Sequence, residues 1–138
     1  MKIKLVAVGK LKKEYIREGV NDYVSRIKHY LPFEVLEVKT VNIERYFSND
    51  YFNVLLDVRG KFLSSEEFAK FIELKMINGK SIAFFIGGAE GFTEAERKKA
   101  DFVLSLSRMT LPHELARLFL AEQIYRALTI INGEKYHK

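Results

Sequence analysis

Leu104 to Ala127 reads LSLSRMTLPHELARLFLAEQIYRA, and three kinds of local structure follow one another within it. It opens as the end of a short apolar strand. It continues through Ser105, Ser107, Arg108, Met109 and Thr110 as irregular backbone and enters a helix at Pro112. Proline suits a first helical turn, where its missing N–H has no intrahelical partner to lose. A strand end, a backbone-rich loop and a helix start set this close together make a pocket for a small ligand. The helix has a second property. Leu115, Ala116, Leu118, Phe119, Leu120, Ala121, Ile124, Tyr125, Leu128 and Ile131 point nearly all round at helical spacing. One face packs on a sheet and the rest needs another cover, for which the simplest is a symmetric partner in a homodimer. Glu122 and Arg126 have the i, i+4 spacing of an ion pair.

Outward from this stretch, strand-like and helix-like runs alternate. Lys2 to Val8 turns fully apolar before Gly9, as a central parallel strand does. Lys12 to Leu31 puts Ile16, Val20, Tyr23, Val24, Ile27 and Leu31 on one helical face, and Pro32 ends it. Phe33 to Val41 reads as a second strand, Asn42 to Tyr51 as loop or short helix, and Phe52 to Val58 as a third strand closed by Arg59-Gly60. Ser64 and Glu67 form a capping box for a helix reaching Gly79, with Phe68, Phe71, Ile72 and Met76 inward. Ser81 to Ile86 is apolar on both faces; Thr93 and Glu96 cap a short helix from Glu94 to Ala100; Phe102 to Leu106 is a fifth strand. This alternation predicts a single α/β domain over residues 1–138, a mostly parallel sheet flanked by helices. Ligands in such sheets bind beyond the carboxyl ends of the strands. Leu56-Asp57, Gly87-Gly88 and Leu106 to Leu111 all lie there, so three loops converge on one rim.

Composition narrows the chemistry. The absence of cysteine excludes a disulfide scaffold, a thiolate zinc site and a cysteine nucleophile, and fits a reducing, cytoplasmic setting. A net charge of +5 suits a polyanionic partner such as RNA, and equally an ordinary basic protein. The apolar run Leu5 to Val8 is too short for a signal peptide, and nothing approaches a membrane span. His29, His113 and His137 lack metal-ligand spacing, so no metal is expected. Gly87, Gly88 and Gly91 give G-G-x-x-G rather than the dinucleotide G-x-G-x-x-G; they mark a tight turn or a close backbone approach. No nucleophile elbow surrounds Ser105 or Ser107.

Five segments, KLVAVGKLK, LLDVRGK, FIGGAEG, the stretch from Leu104 and the ending YHK, occur in the same order in one family. The chain resembles, over essentially its whole length, the RlmH (YbeA-type) methyltransferases of the SPOUT class, which methylate N3 of a pseudouridine in 23S ribosomal RNA. It departs from them in a shorter segment between Thr40 and Tyr51, and in Ala89 where proline is frequent. The resemblance implies a deep C-terminal trefoil knot, a homodimer and S-adenosyl-L-methionine as cofactor. By position it implies a cofactor site of Leu56, Gly87, Leu106, Ser107, Arg108, Met109, Thr110 and Leu111. His137 with Tyr136 would close over that pocket to position or deprotonate the base, and Arg126 and His113 would line the same cavity, from one subunit or from both. The implied substrate is 23S rRNA within the assembled ribosome, in the cytoplasm. On this reading Leu118 belongs to the dimer seam. Two other readings stand beside it: a non-catalytic ribosome- or RNA-binding protein that retains the fold, and a nucleotide-dependent oxidoreductase. The glycine spacing disfavours the latter, as does the lack of an acidic ribose-binding residue.

Overall fold

β1 (Ile3–Val8) and β4 (Ser81–Ile86) are the most apolar runs in the chain, and they lie side by side inside a five-stranded sheet that runs β2 (Phe33–Val38), β1, β4, β3 (Tyr51–Phe62), β5 (Phe102–Ser105). Every pairing is parallel. The computed structural model describes residues 1–39 and 42–138, so Thr40 and Val41, the end of the expected second strand, lie outside the described residues. The remaining elements are α1 (Glu14–Ile27), a 3₁₀ turn (Ile43–Tyr46), α2 (Ser65–Ile77), α3 (Glu94–Lys99) and α4 (His113–Ile131).

Strand alternation sorts the core into two layers. Ile3, Leu5, Ala7, Ile82, Phe84 and Ile86 point into the larger one, where they meet Leu120, Ile124, Ala127 and Leu128 of α4. Val6, Ala83, Phe85 and Leu55 point the other way, onto Ile43 and Phe92. Both capping boxes form. Ser64 Oγ accepts from Glu67 N at 3.0 Å and Thr93 Oγ1 from Glu96 N at 3.1 Å, each with the reciprocal bond back. Glu96 also accepts from Ile43 N at 3.2 Å, which fastens the 3₁₀ turn to α3.

α4 lies between α1 and α2 on the sheet, which explains most of its all-round apolar pattern without a second chain. Leu118, expected in the seam, is packed within the chain: a Cβ on Gly19 of α1 would come within 2.8 Å of Leu118 Cδ1. What remains outward is narrower: Leu115 and Phe119, 39% and 36% exposed, one turn apart.

Two boundaries also move. Pro112 is the N-cap rather than the first helical residue, because its ψ of 144° is extended and the helix begins at His113. β3 does not stop at Arg59-Gly60 but runs to Phe62, since it meets β5 twice: Leu56 and Lys61 both stand opposite Leu104, and residues 57–60 bulge between them. Gly60 permits this. A Cβ there would lie 2.6 Å from the Val103 carbonyl carbon and oxygen, inside the backbone of β5.

Candidate functional site

The bulge of β3, the turn after β4 and the loop after β5 gather at the carboxyl rim and enclose a cavity of about 320 Å³. That volume lies at the lower end of the range typical of small-molecule sites. Of the residues expected around a cofactor, Leu56, Gly87, Leu106, Ser107, Met109, Thr110 and Leu111 line it, and His113 joins them from the first turn of α4. Arg108 does not. Its guanidinium is stacked 5.0 Å from the ring of Phe62, on the doubled part of β3.

Local bonding holds the three loops. Ser105 Oγ donates to the Ser107 carbonyl and Met109 N to Ser107 Oγ, each at 3.0 Å, so the serine side chains fold the chain between β5 and α4. Gly91 adopts φ +70° and donates its N–H to the Gly88 carbonyl at 3.1 Å. The turn closes so tightly that a Cβ on Gly87 would meet Gly91 O at 3.2 Å and the Phe92 ring at 3.3 Å. Arg97 stitches two loops together by donating to Phe92 O at 2.7 Å and pairing with Asp57 at 3.4 Å. Asp57, Arg59, Glu90 and Phe92 also line the cavity and were not in the expected site. Their signal was position alone: Glu90 and Phe92 follow β4 by four and six residues, and Asp57 and Arg59 lie in the bulge of β3.

The other expected residues form a separate cluster on the outer half of α4. Arg126 donates to Glu122 from Nε at 3.1 Å and from a terminal nitrogen at 2.8 Å. Tyr136 donates its hydroxyl to the same Glu122 oxygen at 2.8 Å and lies 3.4 Å from the Tyr23 hydroxyl. Burial, followed by those two hydrogen bonds, pushes the Tyr136 hydroxyl well above the ordinary phenol range. The bonds to Glu122 raise the Arg126 guanidinium still further above its ordinary value, so it is cationic at any working pH. The third Arg126 nitrogen sits 2.9 Å from His137 Nδ1. Arginine can only donate, so Nδ1 accepts and the imidazole proton is on Nε2, which faces Glu66 at 3.3 Å.

At 1.5 Å per residue, His113 and Arg126 are separated by roughly 20 Å along α4. One chain therefore brings His113 to the cavity and holds Arg126, Tyr136 and His137 away from it.

A family model described as "Predicted SPOUT methyltransferase" matches residues 1–137. The chain belongs to that family. Among curated relatives, a protein of Coprothermobacter proteolyticus named ribosomal RNA large subunit methyltransferase H is 55% identical over 139 positions, with all of both chains covered. One of the same name from Carboxydothermus hydrogenoformans is 43% identical over 159 positions, again with both chains fully covered. A solved probable methylase family protein of Haemophilus influenzae superposes with a TM-score of 0.61 at 14% identity, covering 99% of this chain and 70% of that one. A probable methyltransferase of Bordetella pertussis gives 0.57 at 12% identity, covering 91% and 95%. At such identities the two structures speak for the fold only. Among the described residues no helix is long and apolar enough to cross a membrane, and no cluster of histidine and carboxylate side chains has a metal-binding arrangement.

The cavity suits the methyl donor that SPOUT methyltransferases use. Leu56, Ile86, Leu106 and Leu111 offer apolar walls for a flat heteroaromatic ring, and Gly87 and Gly88 let backbone approach closely. Glu90 places a carboxylate at the same cavity, the right sign for an ammonium or a sulfonium, and Asp57, paired with Arg97, offers an acceptor for hydroxyls.

Proposed function

We propose that this enzyme transfers a methyl group from S-adenosyl-L-methionine to N3 of a pseudouridine in large-subunit ribosomal RNA, acting as a homodimer on the assembled ribosome in the cytoplasm. The observation that carries this is the 55% identity, end to end, with a relative named for large-subunit rRNA methylation, joined to a cavity whose lining suits the cofactor. The bound cofactor supplies an activated methyl group on a sulfonium. Leu56, Leu106, Ser107, Met109, Thr110 and Leu111 hold it, and Gly87 keeps the turn beside it compact. Aligning donor and acceptor in one site accounts for much of the acceleration in such transfers, on the order of 7–11 kcal/mol in favourable systems.

The acceptor N3 must also give up a proton, and the anion so formed is stabilised by a fixed cation. Arg126 is that cation in this proposal, oriented by Glu122, with Tyr136 and His137 packed on either side of it. His137, held between Arg126 and Glu66, helps position or deprotonate the acceptor base. Because Arg126 stands roughly 20 Å along α4 from His113, the cluster acts on the cavity of a second subunit. Leu115 and Phe119 form the start of the seam, and pairing two α4 helices in opposite directions sets each tail over the other chain's cavity. The C-terminal knot implied by the resemblance belongs to the same proposal, and the second meeting of β3 with β5 at Lys61 and Phe62 is compatible with it.

Methyl transfer from labelled cofactor to ribosomes and to naked rRNA, each with and without pseudouridine, tests the reading. Label is expected only on pseudouridine-bearing ribosomes. Ribosome binding without label, and without any heat of cofactor binding in calorimetry, would favour a non-catalytic binding protein instead.

A further inference from the structure

The connection between β1 and α1 is clamped from α4. Glu114 accepts from Lys12 N at 2.8 Å and from Lys13 N at 3.1 Å, while Arg117 donates to the Gly9 carbonyl at 3.1 Å. Arg117 is 2% exposed and pairs with Glu37 of β2 at 2.5 Å. A third donor, its Nε–H, is buried without a partner among the described residues. An arginine held this deep with one donor unpaired is costly in an ordinary core.

Arg117 forms part of the lining of a groove of about 490 Å³ between α1 and the edge strand β2, remote from the methyl-donor cavity in its lining residues. The groove's charged residues are Lys10, Arg17, Lys28, Arg117 and Glu37. Glu37 is taken by Arg117, and Arg17 by Glu14 at 2.6 Å and by the Leu11 carbonyl at 2.7 Å. The ammonium groups of Lys10 and Lys28 make no ion pair among the described residues. Positive charge therefore remains at both ends of the groove. The α1 wall of the groove, from Arg17 to Lys28, runs three turns, roughly 16 Å. That is too long for one phosphate and suits a polyanion with regularly repeated charges.

We propose that this groove docks the sugar-phosphate backbone of RNA, with Lys10 and Lys28 at separate phosphates and Arg117 in the floor between them. The proposal rests on rRNA being the substrate, and it names the face of the enzyme that holds it. The clamp gives this surface a rigid relation to the cavity: one helix, α4, carries His113 at the cavity and Glu114 and Arg117 beneath the lysine loop. Phosphate contacts of this kind position a substrate without reading its sequence.

The test compares the Lys10→Gln/Lys28→Gln variant with a Lys70→Gln/Lys98→Gln control that removes the same charge from exposed positions on α2 and α3. Binding to intact ribosomes and to naked large-subunit rRNA is measured as a function of salt. Losing two phosphate contacts should reduce the slope of log affinity against log salt by about one unit per lysine. The control should leave the slope as it is in the unmodified chain. In steady-state methylation the groove variant should show a raised KM for ribosomes with kcat and cofactor affinity unchanged. An unaltered slope, or an equal change in the control, overturns the proposal. Should the unmodified protein bind RNA but transfer no methyl group, the methyltransferase reading fails while the slope still decides the groove.

Discussion

The two ends of α4 are built on opposite principles. Its N-terminal end borders a cavity made of strand ends, glycine backbone and apolar side chains, where shape and closeness matter and few charges stand. Its C-terminal half carries a dense polar cluster of Glu122, Arg126, Tyr136, Tyr23 and His137, in which nearly every donor has an acceptor. The first is suited to hold a cofactor and the second to steady charge on a substrate. On the proposed reading neither completes a methyl-transfer site alone, and one rigid helix keeps them roughly 20 Å apart. A helix that separates the two halves of a site within a chain can unite them between chains, if two copies pair in opposite directions.

The largest effect expected from this contrast comes from removing one half. Deletion of Tyr136 to Lys138 should abolish methylation while leaving cofactor binding, measured by calorimetry, close to that of the intact chain. Mixing the truncated chain with a Gly87→Val chain then separates the two arrangements. The added side chain is driven into the Gly91 carbonyl and the Phe92 ring, so the Gly87→Val chain loses its cavity but keeps its tail. If tails serve the opposite subunit, the mixed dimer regains one working site and activity returns. If each tail serves its own chain, mixing restores nothing.

A smaller effect follows at the seam. Leu115→Asp/Phe119→Asp changes two side chains that are already more than a third exposed, so the fold should survive with a cost within about 1 kcal/mol. Sedimentation should show a monomer, and methylation should fall at least tenfold. Leu118→Asp should behave differently. Leu118 is packed on Gly19 of α1, so its loss should lower the melting temperature by several degrees, separating helix packing from subunit pairing.

The case of Leu118 shows what the chain made legible and what it did not. Periodicity located every strand and helix, because burial on two faces or one leaves a direct mark on residue order. The capping boxes at Ser64 and Thr93 were equally plain, since each is a local bond between residues three apart. The function of α4's apolar surface was not legible. Whether an apolar residue meets α1, α2 or another copy depends on where α4 lies, and nothing within nineteen residues encodes that. Gly60 is a similar case. Its place beside Arg59 suggested a strand end, whereas it is small because β5 passes against it, more than forty residues later in the chain. Arg108 departs for a nearer reason: its neighbours Ser107 and Met109 line the cavity, but its own side chain has Phe62 to stack on, outside it.

The smallest effect concerns the N-terminal end of α4 and what it holds. Hydrogen bonds from the backbone of Lys13 and Lys12 keep the Glu114 carboxyl below its ordinary value of 4.5. A carboxylate whose pKa is depressed by folding contributes stability that is present above its unfolded value and lost as pH falls through the folded one. Glu114→Gln retains the shape and removes the charge. The intact chain should therefore exceed the variant in urea midpoint at pH 7, with the gap constant down to about pH 4.5 and closing below it. At neutral pH the same variant should loosen the loop of Lys12 and Lys13, seen as faster amide exchange at those two residues, while Arg126 and Tyr136 at the far end keep their protection. Matching changes at both ends would mean that α4 transmits the clamp along its length, and that cavity and polar cluster are not the independent halves their separation suggests.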